Sequence, residues 1–436
     1  MKNRFFLFFI AIAAISCTKN ADLPETKLLN KYAAGYVRLG LAIGQYDESF
    51  VDAYYGPDSL KPAPVKDKED FPRDSLLASV NSLMNDIKIV ATTAEVDSNR
   101  MRANWLYDQL ASFSGRIKIF SGEYSTFDQE SKQLFGVAAP VNTEDYFKSQ
   151  LVLLDSLLPG KGNVNDRFQK LANKFVIPKD KIETVIKAAI AESRKRTLAH
   201  YKLPAGESFT LELVTDKPWN GYNWYQGKYK SLVQINTDLK IFIDRAIDVG
   251  SHESYPGHHV YNMLLEKNLY HDRGYVELSM YPLFSPQSLI AEGSANYGIE
   301  MAFPGNEKVK FAKSVLLPLA GLDTTGIDSY FRALVIKGNL NYARNEAARG
   351  LIDDNWSKSK ASNYLQKYCL MNDETADKSV SFIKKYRAYV INYNYGLDLV
   401  KNHIEKHGGT AKDPVKRWEL FGKLLSNEVT MDELAK

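Results

Sequence analysis

The stretch "SHESYPGHHV", residues 251 to 260, holds three of the chain's seven histidines and one glutamate. Imidazoles and a carboxylate this close together are the donor set of a transition-metal site. A carboxylate beside such a site can also take a proton from water during hydrolysis. A zinc-protease helix carries its two histidines four residues apart, with a glutamate directly after the first. Each residue turns a helix by about 100°, so positions four apart share a face. Here the fourth residue after His252 is Pro256. On a straight helix His258 would lie roughly 240° around from His252. His259 would share the face but stand about 10 Å along the axis, too far for ligands that bind zinc at about 2 Å. A straight helix cannot build the site.

Pro256 and Gly257 offer another route. Proline has no N–H for the carbonyl of His252 and clashes with it, and glycine permits unusual backbone angles. A loop-out of two residues would bring His258 to the place of the second histidine and keep Glu253 beside it. Histidine clusters also arise as helix caps, polar loops or satisfied core residues, so spacing alone leaves the question open. A third donor comes from "AEGSANY", where Glu292 sits among small residues on a helix that a neighbour can approach closely. A carboxylate buried there needs a partner such as a cation.

"HESYPGHH" followed by "EGSANY" resembles the family called domain of unknown function 885, a group of gluzincin-like metallopeptidases. Its members typically read His-Glu, two residues, Pro-Gly-His-His, then Glu-Gly-Trp-Ala-x-Tyr. His252, Glu253, Pro256, Gly257, His258 and His259 match the first motif, and Glu292, Gly293, Ala295 and Tyr297 the second. Ser294 stands where the family has tryptophan. Weaker similarity runs over most of the mature chain, including "TFDQESKQLFGV" at 126 to 137. The resemblance implies a mainly α, bilobal zincin-like fold, one Zn2+ held by His252, His258 and Glu292, and Glu253 as general base. Downstream, Arg344, Gly350 and Trp356 align, but Ala348 and Ile352 replace an aspartate and a histidine. Near the end Tyr393 aligns, while Arg387 and Tyr389 replace a proline and a glutamine. Tyr393, or failing it Tyr395, is the expected oxyanion donor. His259, Arg344 and Asn296, together with Tyr395, are expected to touch substrate or support the ligands.

The elements that would position these residues are mostly helices. "LLNKYAAGYVRLGLAIGQY", "RMRANWLYDQLASFSGRIKIF" and "DKIETVIKAAIAESRKRTLAH" carry apolar residues at three- and four-residue spacing. At residue 209 the texture changes. "FTLELV" and "YKSLVQINTDL" alternate and read as two strands, separated by the long Trp- and Gly-containing loop "TDKPWNGYNWYQGK". The second strand is a candidate edge for pairing with an extended peptide. A short helix, "VYNMLLEKNLY", and a second helix starting at Ser285-Pro286 follow; serine caps well, and proline in the first turn loses nothing. Beyond residue 325 the pattern is helical again. The expectation is a mainly α protein with a small β element beside the site and lobes near 27–200 and 201–436.

The chain as a whole sets further bounds. Its 436 residues can bury a large core, and 44% hydrophobic with 25% charged residues is ordinary for a folded protein. The formal charge of +4 is thinly spread and carries no nucleic-acid footprint. Lys2 and Arg4 precede an apolar run, Phe5 to Ile15, that ends at Ser16-Cys17. The run is too short to span a bilayer permanently and suits a signal-peptide core. It resembles a bacterial lipoprotein signal over 1–16, with lipidation at Cys17 and a tether over 17–26; the other reading is an ordinary secretory signal with an incidental cysteine. The expectation is an exported protein, lipid-anchored in the cell envelope. The mature chain then has Cys369 unpaired and no disulfide. The expected activity is hydrolysis of a peptide or related amide. The alternatives are a catalytically degenerate homologue, or a helical ligand-binding lipoprotein whose exposed aromatics, such as Trp219 and Trp224, contact a partner.

Overall fold

Helices occupy most of the computed structural model, which describes residues 23–68, 70–217 and 219–435. The segment expected to be a signal, and Cys17, lie outside the described residues. The apolar three- and four-residue spacing of the first half folds into α1 (Pro24–Gly44), α2 (Arg73–Thr93), α3 (Asp97–Phe120), α4 (Phe127–Phe135), α5 (Glu144–Leu157), α6 (Val164–Ala172) and α7 (Ile182–Leu198). Among the described residues no helix is long and apolar enough to cross a membrane.

Among the described residues five short strands accompany them: β1 (Val51–Tyr54), β2 (Ser208–Val214), β3 (Gly221–Tyr225), β4 (Lys230–Asn236) and β5 (Met280–Pro282). The two strands read from the sequence are β2 and β4, and they lie side by side in parallel register, Ser208 opposite Lys230. The loop between them contains a third strand, β3, which pairs antiparallel with the other side of β4. The order is therefore β2–β4–β3. This corrects one expectation: β4 is central, both its edges are taken, and it cannot receive a peptide strand. Among the described residues β3 has an unpaired edge instead. A second sheet is formed by β1 and β5, with Ala53 opposite Tyr281, and ties the first helical half to the site region.

Past the sheet come α8 (Ile243–Glu253), α9 (His258–Leu265) and α10 (Pro286–Ala302). α10 begins as expected, with the Ser285 hydroxyl accepting the Ser288 N–H and Pro286 in the first turn. The remaining helices are α11 (Glu307–Phe311), α12 (Leu317–Ala320), α13 (Ile327–Leu340), α14 (Ala343–Ile352), α15 (Lys358–Cys369), α16 (Asp373–Tyr386), α17 (Ile391–Lys406), α18 (Pro414–Leu425) and α19 (Met431–Ala435). The buried apolar side chains form one contiguous cluster from Leu29 to Leu434. Small residues let α10 sit at its centre. A Cβ on Gly293 would stand 2.3 Å from the carbonyl oxygen of Gly396, so α10 and α17 touch backbone to backbone there.

Candidate metal centre

α8 carries His252 and Glu253 in its last turn and stops at Glu253; α9 starts at His258. Between them the chain loops out. The Gly257 N–H donates to the carbonyl of Ser251 at 3.1 Å, spanning six residues where a helix spans four. This two-residue expansion turns the His258 ring back towards His252. α10 seats the turn: a Cβ on Gly298 would be 3.2 Å from Pro256 Cγ. α7 backs it, with the Ser193 and Ser251 hydroxyls 3.0 Å apart.

The ring nitrogens converge. His252 Nε2 and His258 Nε2 are 3.1 Å apart, and Glu292 Oε2 from α10 lies 3.2 Å and 3.7 Å from them. A tetrahedral zinc with bonds of about 2.0–2.1 Å has ligand–ligand edges of about 3.3 Å. The three donor atoms thus sit at the spacing of one tetrahedral face.

Proton bookkeeping agrees with that geometry. The Asn296 amide donates to the carbonyl of Tyr393 at 3.0 Å, so its Oδ1 is the atom that accepts from His252 Nδ1 at 3.1 Å. His252 then carries its proton on Nδ1 and presents a lone pair on Nε2. Glu292 Oε1 accepts the Tyr389 hydroxyl at 3.0 Å, while the buried Oε2 receives no hydrogen bond. Lone pairs facing one another in a buried place require a cation or a proton. Burial depresses His258, but its contact with Glu292 and the charges of Glu292, Glu253 and Asp52 outweigh that and raise it to about 8 in the chain alone. Burial pushes Glu292 up, and the two imidazoles overcome this and hold it well below the carboxylate range. The site attracts positive charge, and the residues present fit a zinc ion.

Glu253 follows the first histidine and lines the same cleft, about 480 Å³ in volume. Burial pushes its carboxyl above the ordinary range, against the pull of His252 and His258. Its backbone carbonyl accepts the Asn223 amide at 2.6 Å, which fastens α8 to β3. Tyr393, Arg344 and Asn296 also line the cleft. The Tyr393 hydroxyl is pushed well up by burial and by Glu292, so it stays a neutral O–H donor.

Two of the expected residues stand outside the cleft lining. His259 is fully buried and points away from the cleft, with Nδ1 2.8 Å from the Ser231 hydroxyl and Nε2 3.2 Å from Glu207. It braces the turn through these two contacts. Tyr395 is absent from the cleft lining, and its amide N–H donates to Asn394 Oδ1. Two residues along a helix is about 200° of rotation, so Tyr393 and Tyr395 face opposite ways.

Of the cleft residues that escaped the sequence reading, three make hydrogen bonds near the metal ligands. Asp52 on β1 accepts the Tyr222 hydroxyl from β3, and burial raises it to about 7 against the pull of His258. The third is Tyr389, read from the sequence only as the loss of a glutamine. Neither loss at Ala348 or Ile352 reaches the cleft; Ala348 is fully buried in the core. Tyr389→Phe is expected to weaken metal binding at this site about tenfold, because Glu292 would lose the bond that orients it. Competition with a chromophoric chelator measures this, and unchanged affinity would assign Tyr389 to packing alone.

No family model matches the chain, and no curated protein matches it. Among solved structures, the chain is similar to a protein classed as a lipoprotein from Colwellia psychrerythraea, at 13% identity over 83% of this chain and 68% of that one, with a TM-score of 0.54. This likeness bears on the fold alone. A carboxypeptidase from Pyrococcus furiosus matches at 13% identity over 91% of this chain and 89% of that one, with a TM-score of 0.46. An M32 carboxypeptidase from Deinococcus radiodurans matches at 12% identity over 94% of each chain, with a TM-score of 0.42.

Proposed function

We propose that the protein is a zinc-dependent hydrolase of peptide or related amide bonds, with one Zn2+ held by His252, His258 and Glu292. The observation that carries this is the convergence of three donor atoms within 3.1–3.7 Å, one of them a buried carboxylate oxygen without a hydrogen bond, beside the carboxylate of Glu253. Bound zinc supplies a Lewis acid that polarises a carbonyl and activates water near neutral pH.

The chain's own residues supply the rest. Glu253 accepts the proton of the attacking water and hands it to the leaving amine. Tyr393 donates its hydroxyl to the developing oxyanion. An extended substrate is oriented by the free edge of β3, whose Gly221, Tyr222 and Asn223 line the cleft. Export and lipid attachment at Cys17 belong to the same reading; the leader's pattern and the lipoprotein naming of the Colwellia psychrerythraea structure support them.

Metal analysis joined to peptide digestion tests the reading. Wild type and His259→Ala should carry stoichiometric zinc and His258→Ala almost none, because His259 is committed to Ser231 and Glu207. Digestion of a peptide library should stop with chelator and resume with zinc. Zinc lost from His259→Ala and kept by His258→Ala would overturn the ligand set. A zinc-loaded protein that cuts no peptide would overturn the peptidase reading.

A further inference from the structure

The cleft has a second wall, opposite in character to the zinc wall. It is built by α14 and α16, which contribute Arg344, Lys378, Ser379 and Phe382. At the zinc wall the atoms left without hydrogen bonds include the acceptors Glu292 Oε2 and Asn223 Oδ1; at this wall they include Arg344 Nε, a donor, and the Ser379 hydroxyl, which can donate.

Arg344 is unusual among the buried or half-buried arginines. Arg102, Arg116, Arg349 and Arg387 each pair with a carboxylate. Among the described residues Arg344 has no carboxylate partner. Its guanidinium is held by ring faces instead, 5.8 Å from Phe382 and 5.9 Å from Tyr393. Ser379 is 7% exposed and stands one helical turn before Phe382, on the same face of α16. Lys378 adds positive charge, shared with Glu374 at 3.3 Å. Leaving buried donors unpaired is costly, and a planar guanidinium fork matches a carboxylate. From Arg344 the rings of Tyr393 and Tyr389, 5.8 Å apart, lead to Glu292, so this wall lies within the reach of a short peptide from the zinc ligands.

We propose that Arg344, with Ser379, forms a subsite for a carboxylate of the substrate, so that the enzyme selects peptides by a negative charge near the scissile bond. The inference rests on the peptide-hydrolase reading. The carboxylate comes from the substrate's C-terminus or from an acidic side chain.

The test uses the zinc-loaded full chain and three matched peptides: a free C-terminal acid, its C-terminal amide, and an amide with Asp or Glu beside the cleaved bond. Wild type should cleave at least one carboxylate-bearing peptide about a hundredfold better in kcat/KM than the neutral amide, as a charged buried hydrogen-bond pair permits. The peptide preferred identifies the source. Arg344→Gln should bring the ratio of kcat/KM for the carboxylate-bearing peptide over the neutral amide from about a hundredfold down to near one, and Ser379→Ala should reduce that ratio several-fold. Zinc content and the melting curve show whether each variant is folded, and the wild-type comparison needs no variant. Equal cleavage of all three peptides would overturn the subsite. If no peptide is cut, the peptidase reading fails, and calorimetric binding of the same three peptides decides the subsite separately. Arg344-dependent preference for the acids would sustain it, and equal or absent binding would end it.

Discussion

Glu253→Gln should lower kcat/KM by about 10²–10⁴-fold and leave zinc stoichiometry unchanged, the range expected for removing a general base. The side chain keeps its length and shape, which matters because Glu253 is tightly surrounded. A Cβ on Gly221 would already stand 3.1 Å from its Oε1. The backbone carbonyl that fastens α8 to Asn223 is untouched by the change. What disappears is the ability to accept a proton. Glu253 is also outside the group of atoms that converge on one point, so the metal should stay. Burial raises the carboxyl in the wild-type chain, which moves it towards the proton affinity that a base working near neutral pH needs. Kinetics on a cleavable peptide together with elemental analysis check both halves. Loss of zinc along with activity would make Glu253 a structural residue, and undiminished activity would remove it from the mechanism.

Much of this site was legible because its signals are local. A proline four residues after a histidine forbids a straight helix, and only a loop-out lets His258 face His252; the Gly257-to-Ser251 hydrogen bond is that loop-out. Glu292 was found through its small neighbours, the same residues that let α10 press against α17. What stayed hidden is non-local. Asp52 reaches the cleft because β1 pairs with β5, more than two hundred residues away, and "FVDAYYG" gives no sign of it. β3 was lost inside a loop whose tryptophans and glycines mask five residues of strand. With β3 missed, β4 looked like an edge. Tyr389 was visible as a departure from a family pattern, but its hydrogen bond to Glu292 depends on where the 387–390 turn delivers it. His259 shows the converse. It lies within the motif, yet α9 turns it towards Glu207 and Ser231, and only the helix phase separates it from its neighbour.

The same loop-out makes a sharper prediction at a position that touches neither metal nor substrate. Gly257→Ala should weaken zinc binding by about ten- to a hundredfold, the scale seen when groups that orient metal ligands are disturbed. It should also cost about 1–3 kcal/mol of stability, as overpacking does. A Cβ there would meet the carbonyl oxygen of His252 at 1.9 Å and that of Ser251 at 2.5 Å. Both obstacles are backbone, so no flexible side chain can swing aside. Either the Gly257-to-Ser251 bond opens or the last turn of α8 shifts, and each movement separates His252 from His258. Gly338→Ala is the matched control. It is an exposed glycine on α13 with open space where its Cβ would go, and there alanine should leave zinc binding alone and slightly stabilise the helix. Zinc affinity by chelator competition and stability by denaturant unfolding separate the two variants. If Gly257→Ala binds zinc as tightly as wild type, the contact between the two helix ends is not what brings the histidines together.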